Sequence, residues 1–390
     1  MAAAACLLAA AASASGPYRD LSTAGSGFLG AGRELADPDT LTAVRLGVTA
    51  PAGTAAGREL LEGVRLAVEE ANAGGGYGGL PFAVVYRADD GPWGVVARQV
   101  ADLSEQDSVW LIIGSLDGER AHAAELVAAK LWVPVITPAG DHTIDYANVP
   151  WVLRGMPDDL SQVELLLDAA DRRGWRRLVV VSELWRDARQ GADRLERRAL
   201  ERGFEVVLRH PYEPYRPAAE VDRVARAPAD AVVVWGRPLS AVPLIRQLRD
   251  LGVAAPLLLP ALLAVPEVAA LDGIGPALVA APYDLDPGPG ELSTFCRRWR
   301  ERTGAEPSYL GVLAYDLTRY ALAAVRRAGL NRARIRDALT AGGFEGLSGP
   351  FAFNSLGGRL RAPVLMAARD GLWASADSAT PLTPPSPPPR

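Results

Sequence analysis

One pattern constrains this chain more than any other. Twice along its length, short runs of aliphatic and β-branched residues alternate with longer amphipathic stretches. In the first series, residues 44–48, 82–86, 109–113 and 133–136 read as strands. Residues 58–73, 94–104 and 119–131 between them read as helices. In 58–73 the apolar positions Leu60, Leu61, Val64, Ala67, Val68 and Ala71 recur at helical spacing on one stripe. The run 109–113 is apolar throughout, which fits a central parallel strand covered on both faces. A second series begins after Met156-Pro157, with a helix over 158–173 for which Asp158 is a plausible cap. Strands follow at 178–181, 205–208, 231–234 and 256–259, with helices at 187–202 and 241–251. Strands alternating with helices form βαβ units and parallel sheets. Two such series predict an α/β protein with two doubly wound parallel-sheet lobes. Helices at 290–303, 310–327 and 331–341, and strands near Phe351 and Val364, extend neither series in sequence, so they are expected to return and complete both lobes.

Composition narrows the function classes. The 390 residues are 49% hydrophobic and 22% charged, with a net charge of -5, so neither a disordered nor a fibrous chain is expected. That mild negative charge offers no basic footprint for nucleic acid or for an anionic membrane surface. At the N-terminus, residues 2–14 form a small apolar run that is too short to span a bilayer. It ends in Ala12-Ser13-Ala14, the small-x-small pattern of a secretory cleavage site, so residues 1–14 read as a signal-like leader and the mature protein as exported. Residues 15–42 read as a linker, and 374–390 as a Pro-rich extended tail. Of the two cysteines, Cys6 lies in the leader and Cys296 in a helix beside Phe295 and Trp299, so no internal disulfide is expected.

No catalytic or cofactor motif survives inspection. Gly74-Gly75-Gly76-Tyr77-Gly78-Gly79 fits G-x-G-x-x-G, but it follows a helix and precedes a strand, the reverse of a dinucleotide site. There is no P-loop, no HExxH and no G-x-S-x-G elbow, and the three histidines are scattered. Asp141, His142 and Asp145 share one loop, which is weak grounds for a metal or a base. These motifs therefore give no ground for an enzyme, a cofactor or a metal.

Several segments carry a family resemblance. They are Gly57-Arg58-Glu59-Leu60-Leu61-Glu62-Gly63-Val64, Asn72-Ala73-Gly74-Gly75, Ile112-Ile113-Gly114-Ser115, Val135-Ile136-Thr137-Pro138-Ala139, Val152-Leu153-Arg154, Leu244-Ile245-Arg246-Gln247-Leu248-Arg249 and Gly349-Pro350-Phe351. In this order, from Val44 to about Ala374, the chain resembles the type I periplasmic binding proteins. Within them it is most similar to the leucine/isoleucine/valine-binding group of ABC-transporter substrate-binding proteins. The resemblance implies two lobes joined by three crossings, near Arg154, near Ala281 and near Gly349. It assigns 43–154 with 282–348 to one lobe and 155–281 with 349–373 to the other. It further implies a small-molecule ligand captured by hinge closure, delivery to an ABC permease in the membrane, and a monomer. A ligand sensor of the same fold, signalling to a receptor or kinase, is the alternative.

The resemblance also locates the site, at the carboxyl ends of the parallel strands. The first-lobe loops that hold a ligand carboxylate in the family correspond here to Ser115, Leu116, Asp117 and Gly118, and to Ala139, Gly140 and Asp141. The family's contacting serine falls on Gly118 and its threonine on Asp141. A glycine still offers its N–H, but an aspartate repels a carboxylate, so Asp141 either is a turn residue or faces a cationic or hydroxyl-bearing part of the ligand. In the second lobe the family's covering tyrosine falls near Asp187 or Ala188, and its amino-group acid near Ala261. The α-amino-acid determinants are thus replaced, and the ligand class is left as amino-acid-like, amide or small organic acid. Trp93, Trp185, Trp235 and Tyr309 are candidate cleft aromatics, each with packing as the competing role. Arg186 and Arg237 are either solvated or in the cleft, and Asp89-Asp90 either caps the helix near Gly94 or lines the cleft.

Overall fold

A computed structural model describes residues 33–38, 40–213, 219–286 and 288–376. The leader with Cys6 and the tail beyond residue 376 lie outside them. The first lobe opens with β1 (Val44–Ala50), α1 (Ala55–Ala73), β2 (Phe82–Ala88) and α2 (Gly94–Glu105). It continues through β3 (Ile112–Gly114), α3 (Gly118–Leu131), β4 (Val135–Thr137), α4 (Thr143–Tyr146) and β5 (Val152–Arg154). The second lobe holds α5 (Asp159–Arg172), β6 (Arg177–Glu183), α6 (Arg186–Glu201), β7 (Glu205–Tyr212) and α7 (Ala219–Ala225). Next come β8 (Ala231–Trp235), α8 (Pro238–Asp250), β9 (Leu257–Leu259), α9 (Pro266–Ala269) and β10 (Ala277–Ala281). The chain then returns to the first lobe as α10 (Glu291–Thr303), α11 (Tyr309–Ala328), α12 (Arg332–Ala341) and a hairpin, β11 (Phe344–Gly346) with β12 (Gly349–Phe351). It finishes in the second lobe as β13 (Val364–Arg369) and β14 (Leu372–Ser375).

Two separate sheets result. The first has the order β2-β1-β3-β4-β5 and is parallel throughout. The second has the order β14-β13-β10-β9-β8-β6-β7, parallel from β10 to β7, with β13 and β14 added antiparallel. Strand order reverses at β1/β3 in one sheet and at β6/β8 in the other. Open α/β sheets form their binding crevice at such reversals, outside the carboxyl ends of the strands. The two crevices face each other here.

Helix starts are set by side-chain caps that satisfy otherwise orphaned N–H groups. Thr54 accepts from Gly57 N on α1, Asp117 from Arg120 N on α3, and Asp158 from Ser161 N on α5. The apolar stripe of α1 buries Leu60, Val64, Ala67 and Val68. Its close crossing with α11 needs Gly63, where an added Cβ would stand 2.5 Å from Gly311 O.

Three expectations shift. The apolar run 109–113 follows a turn at Ser108, whose φ is a left-handed 52°, and regular strand spans Ile112–Gly114, although Trp110 N already donates to Arg45 O and Leu111 O accepts from Gly47 N, both at 2.9 Å. The hairpin β11–β12 stays with the first lobe, where Phe351 stacks on Tyr320 of α11 at 5.9 Å, so the passage into β13 follows the hairpin and lies beyond Gly349. Part of the supposed linker is anchored: Asp37 accepts from Leu330 N and Tyr77 Oη, both at 3.0 Å.

Candidate functional site

Between the lobes lies a cavity of about 30 Å³. Leu116, Gly140 and Asp141 line it from the first lobe, and Met156 from the first crossing. Asp159, Gln162, Trp185, Asp187, Trp235, Pro260 and Leu262 line it from the second. Room for roughly one water remains.

The cleft is narrow because side chains bridge it. Arg186, at the first position of α6, reaches across to the first lobe. Its Nη1 donates to Asp141 Oδ2, and its Nη2 to Thr143 Oγ1 at 3.2 Å. The neighbouring Asp187 crosses in parallel, its Oδ2 accepting from Gly118 N at 2.6 Å. Gly118 is the first residue of α3, so that carboxylate occupies the positive end of a helix dipole. A Cβ on Gly118 would stand 2.2 Å from Asp141 Oδ2 and 2.8 Å from Arg186 Nη1, so only glycine admits this approach. Lower in the cleft, Asp159 N donates to Gly140 O at 2.8 Å, and His142 Nδ1 lies 2.7 Å from Asp159 Oδ1.

Electrostatics follow from this geometry. Burial alone would raise the Asp141 carboxyl, but hydrogen bonds from His122, Arg186 and Thr143 outweigh it and hold the group well below the usual carboxylate range. His122 contacts Glu125 Oε2 at 2.6 Å and Thr143 Oγ1 at 2.7 Å. Burial lowers its imidazole, yet Asp141 and Glu125 together push it up to about 9, so it is cationic at neutral pH. Asp187 behaves oppositely: burial pushes it up to about 7, against the pull of Gly118 N, and nearby Asp117 and Asp141 add to the rise.

The second-lobe wall is aromatic. Trp235 ends β8 and is 3% exposed, with its indole lying where Gly191 leaves room on α6. Trp185 precedes α6, and its ring carries the Arg237 guanidinium, 5.0 Å from the ring centroid. Arg237 in turn pairs with Glu183, whose carboxyl is held low by that contact despite burial.

Five of the residues expected at the site therefore line the cavity: Leu116, Gly140, Asp141, Trp185 and Trp235. Gly118 joins through its N–H. Asp117 serves as the α3 cap, and Ser115 and Ala139 are buried beside the loops. Trp93 is 55% exposed ahead of α2, and Tyr309 is buried at the start of α11 with its carbonyl accepting from Tyr283 Oη at 3.3 Å. Neither lines the cavity. The Asp89-Asp90 pair does not cap α2, whose N-cap is Trp93. Asp90 instead accepts from Ala52 N and Gly53 N. Asp89 is fully buried and pushed up to about 6 by desolvation.

Met156, Asp159, Gln162, Pro260 and Leu262 are lining residues the sequence reading missed. One signal was available: a helix capped by Asp158 directly after the first crossing must begin at the cleft, which brings Asp159 and Gln162 to it. Asp141, His142 and Asp159 bring possible metal-ligand atoms within 4.8 Å of one another. His142 Nδ1 is paired with Asp159 Oδ1, and both Asp141 oxygens are taken by Thr143 and Arg186, so the set reads as a hydrogen-bonded cluster. Asp145, the other acid of that loop, pairs with Arg154 at 2.7 Å. A second cavity of about 350 Å³, walled by Trp110, Trp132 and Trp151, lies at the amino ends of the first-lobe strands, opposite the cleft.

Two doubly wound lobes with polar groups and paired tryptophans converging between them define a hinged, ligand-capturing protein. A sequence model of the periplasmic binding proteins matches residues 43–370, and the chain belongs to that family. Solved structures with the same fold include the branched-chain amino acid transporter substrate-binding protein LivJ of Streptococcus pneumoniae in complex with isoleucine. It is 19% identical, covers 85% of this chain and 97% of its own, and has a TM-score of 0.75. The leucine-binding protein LivK of Thermotoga maritima is 22% identical, with 86% and 98% covered and a TM-score of 0.76. A solute-binding protein of an ABC transporter from Rhodopseudomonas palustris, in complex with 3,4-dihydroxybenzoic acid, is 17% identical, with 86% and 96% covered and a TM-score of 0.78. No curated protein matches the chain by sequence.

Proposed function

We propose that this protein is an exported solute-binding protein that captures a small polar molecule between its lobes and delivers it to an ABC permease. The observation that carries the reading is the pair of cross-cleft contacts, Arg186 on Asp141 and Asp187 on Gly118 N. Each lobe presents groups that need a partner from the other side, and a solute placed between them would meet both at once. Family membership supports this, as do the isoleucine, leucine and dihydroxybenzoate receptors that share the fold. The Ala-rich leader ending in Ala12-Ser13-Ala14 supports export. Binding, not catalysis, is the reading, since the family whose model matches the chain is one of binding proteins. The test is thermal unfolding and tryptophan emission of the purified protein against a solute panel. A true ligand at about 100 times its dissociation constant should add roughly 2.7 kcal/mol to stability. Stabilisation by nothing in a broad panel would count against the reading.

A further inference from the structure

The seat that Arg186 fills is built for a cation. Its guanidinium meets three oxygens: Asp141 Oδ2, Thr143 Oγ1 at 3.2 Å and Asp187 Oδ1 at 3.1 Å. Asp141 is 3% exposed, so if Arg186 leaves, its Oδ2 keeps only His122 at 3.6 Å and cannot fall back on solvent, while Thr143 still serves Oδ1. The cavity beside the guanidinium is about 30 Å³, too small for any solute. With the lobes closed as they are here, a solute must take the room of the Arg186 side chain, and it then meets the carboxylates that Arg186 leaves behind. A carboxylate solute fails on both counts. It would face Asp141, Asp159 and Asp187, and the helix-end N–H of Gly118 is already occupied by Asp187. An organic cation succeeds, because Asp141 and Asp187 supply its counter-charge and Trp185 and Trp235, which line the cavity, supply an aromatic wall for it. Trp185 already carries one guanidinium over its ring, that of Arg237.

Resting on the solute-capture reading, we propose that the captured solute is a small organic cation of guanidinium type, which displaces Arg186 from Asp141 and lies against Trp185 and Trp235. Arg186 is then the resident stand-in for the ligand, holding the cleft shut until the solute replaces it.

The test uses the full chain with Arg186→Ala and the shape-preserving Arg186→Gln, and methylguanidinium chloride as the probe. With the seat vacated, millimolar methylguanidinium should raise the melting temperature of both variants by several degrees. Sodium chloride, leucine or sodium benzoate at equal ionic strength should not, and rescue should vanish in Arg186→Ala/Asp141→Asn. Rescue by benzoate, or rescue that persists in the double variant, overturns the proposal. In parallel the wild-type protein is titrated with agmatine and other guanidinium compounds, and with leucine and benzoate. Saturable cation binding that Asp141→Asn weakens roughly tenfold to a hundredfold supports the proposal. Tight binding of leucine or benzoate overturns it while leaving the solute-receptor reading intact. No rescue together with no binding by either class overturns both.

Discussion

Arg154 is the side chain on which the hinge should depend most. It is 2% exposed, and its Nε and Nη2 donate to the two oxygens of Asp145 at 2.7 and 3.1 Å. Nη2 also reaches Asp158 at 3.3 Å, and Nη1 donates to Met156 O. Its backbone is paired as well: Arg154 N donates to Gly357 O at 2.9 Å, and Arg359 N to Arg154 O at 3.0 Å. One residue thus ties the first crossing to the segment that leads into β13. Arg154→Met keeps the apolar bulk and the backbone pairs but strands Asp145, which is 1% exposed, as a buried carboxylate. Breaking a buried pair from one side costs about 3–5 kcal/mol. For an ordered chain of this size the entropy of unfolding at the midpoint is roughly 0.7 kcal/mol/K, so the melting temperature should fall by about 4–7 °C. Arg154→Met/Asp145→Asn removes the stranded charge and should recover more than half of the loss. Thermal melts followed by circular dichroism at fixed protein concentration measure both. A drop below about 1 °C, or a double variant no better than the single, would refute the reasoning.

Three further outcomes are expected. Gly191→Ala places a Cβ 2.2 Å from the Trp235 ring, so the indole must move. Solute binding should weaken and tryptophan emission shift, with an overpacking cost of about 1–3 kcal/mol; an unchanged spectrum would mean Trp235 sits elsewhere. His122 is raised from 6.5 to about 9 by its acidic partners. Its contribution is full below pH 6.5 and lost as pH rises through 9, so His122→Gln should flatten that loss in stability-versus-pH curves. Asp187 is raised from 3.8 to about 7 by burial, so the folded state holds its proton more tightly than the unfolded state. Stability from this group is full below pH 3.8 and falls as pH climbs through 7; Asp187→Asn should remove that decline, and an unaltered curve would show that Asp187 is not buried on Gly118.

The alternation of strands and helices was legible because its signals are local. Apolar stripes such as Leu60, Val64 and Ala67, and caps such as Asp158, lie within a few residues of what they specify. The run 109–113 showed where a strand lies but not its bounds, because apolarity records burial and the left-handed turn at Ser108 leaves no trace in hydropathy. At the site, the resemblance brought forward Leu116, Gly140, Asp141, Trp185 and Trp235 through strand-end position alone. Trp93 also follows a strand, yet its loop turns outward, so position was an insufficient guide there. The cross-cleft pairing of Arg186 with Asp141 joins residues 45 positions apart on different lobes, and nothing in either neighbourhood announces it. The contact spans the two lobes, so it becomes visible only in three dimensions.

The central claim is that a solute is held between the lobes at the Arg186 seat. A crystal structure of the protein with whichever compound stabilises it most tests this directly. The account predicts density between Asp141, Trp185 and Trp235, with Arg186 swung off Asp141. Density in the groove walled by Trp110, Trp132 and Trp151, with Arg186 still on Asp141, would contradict it.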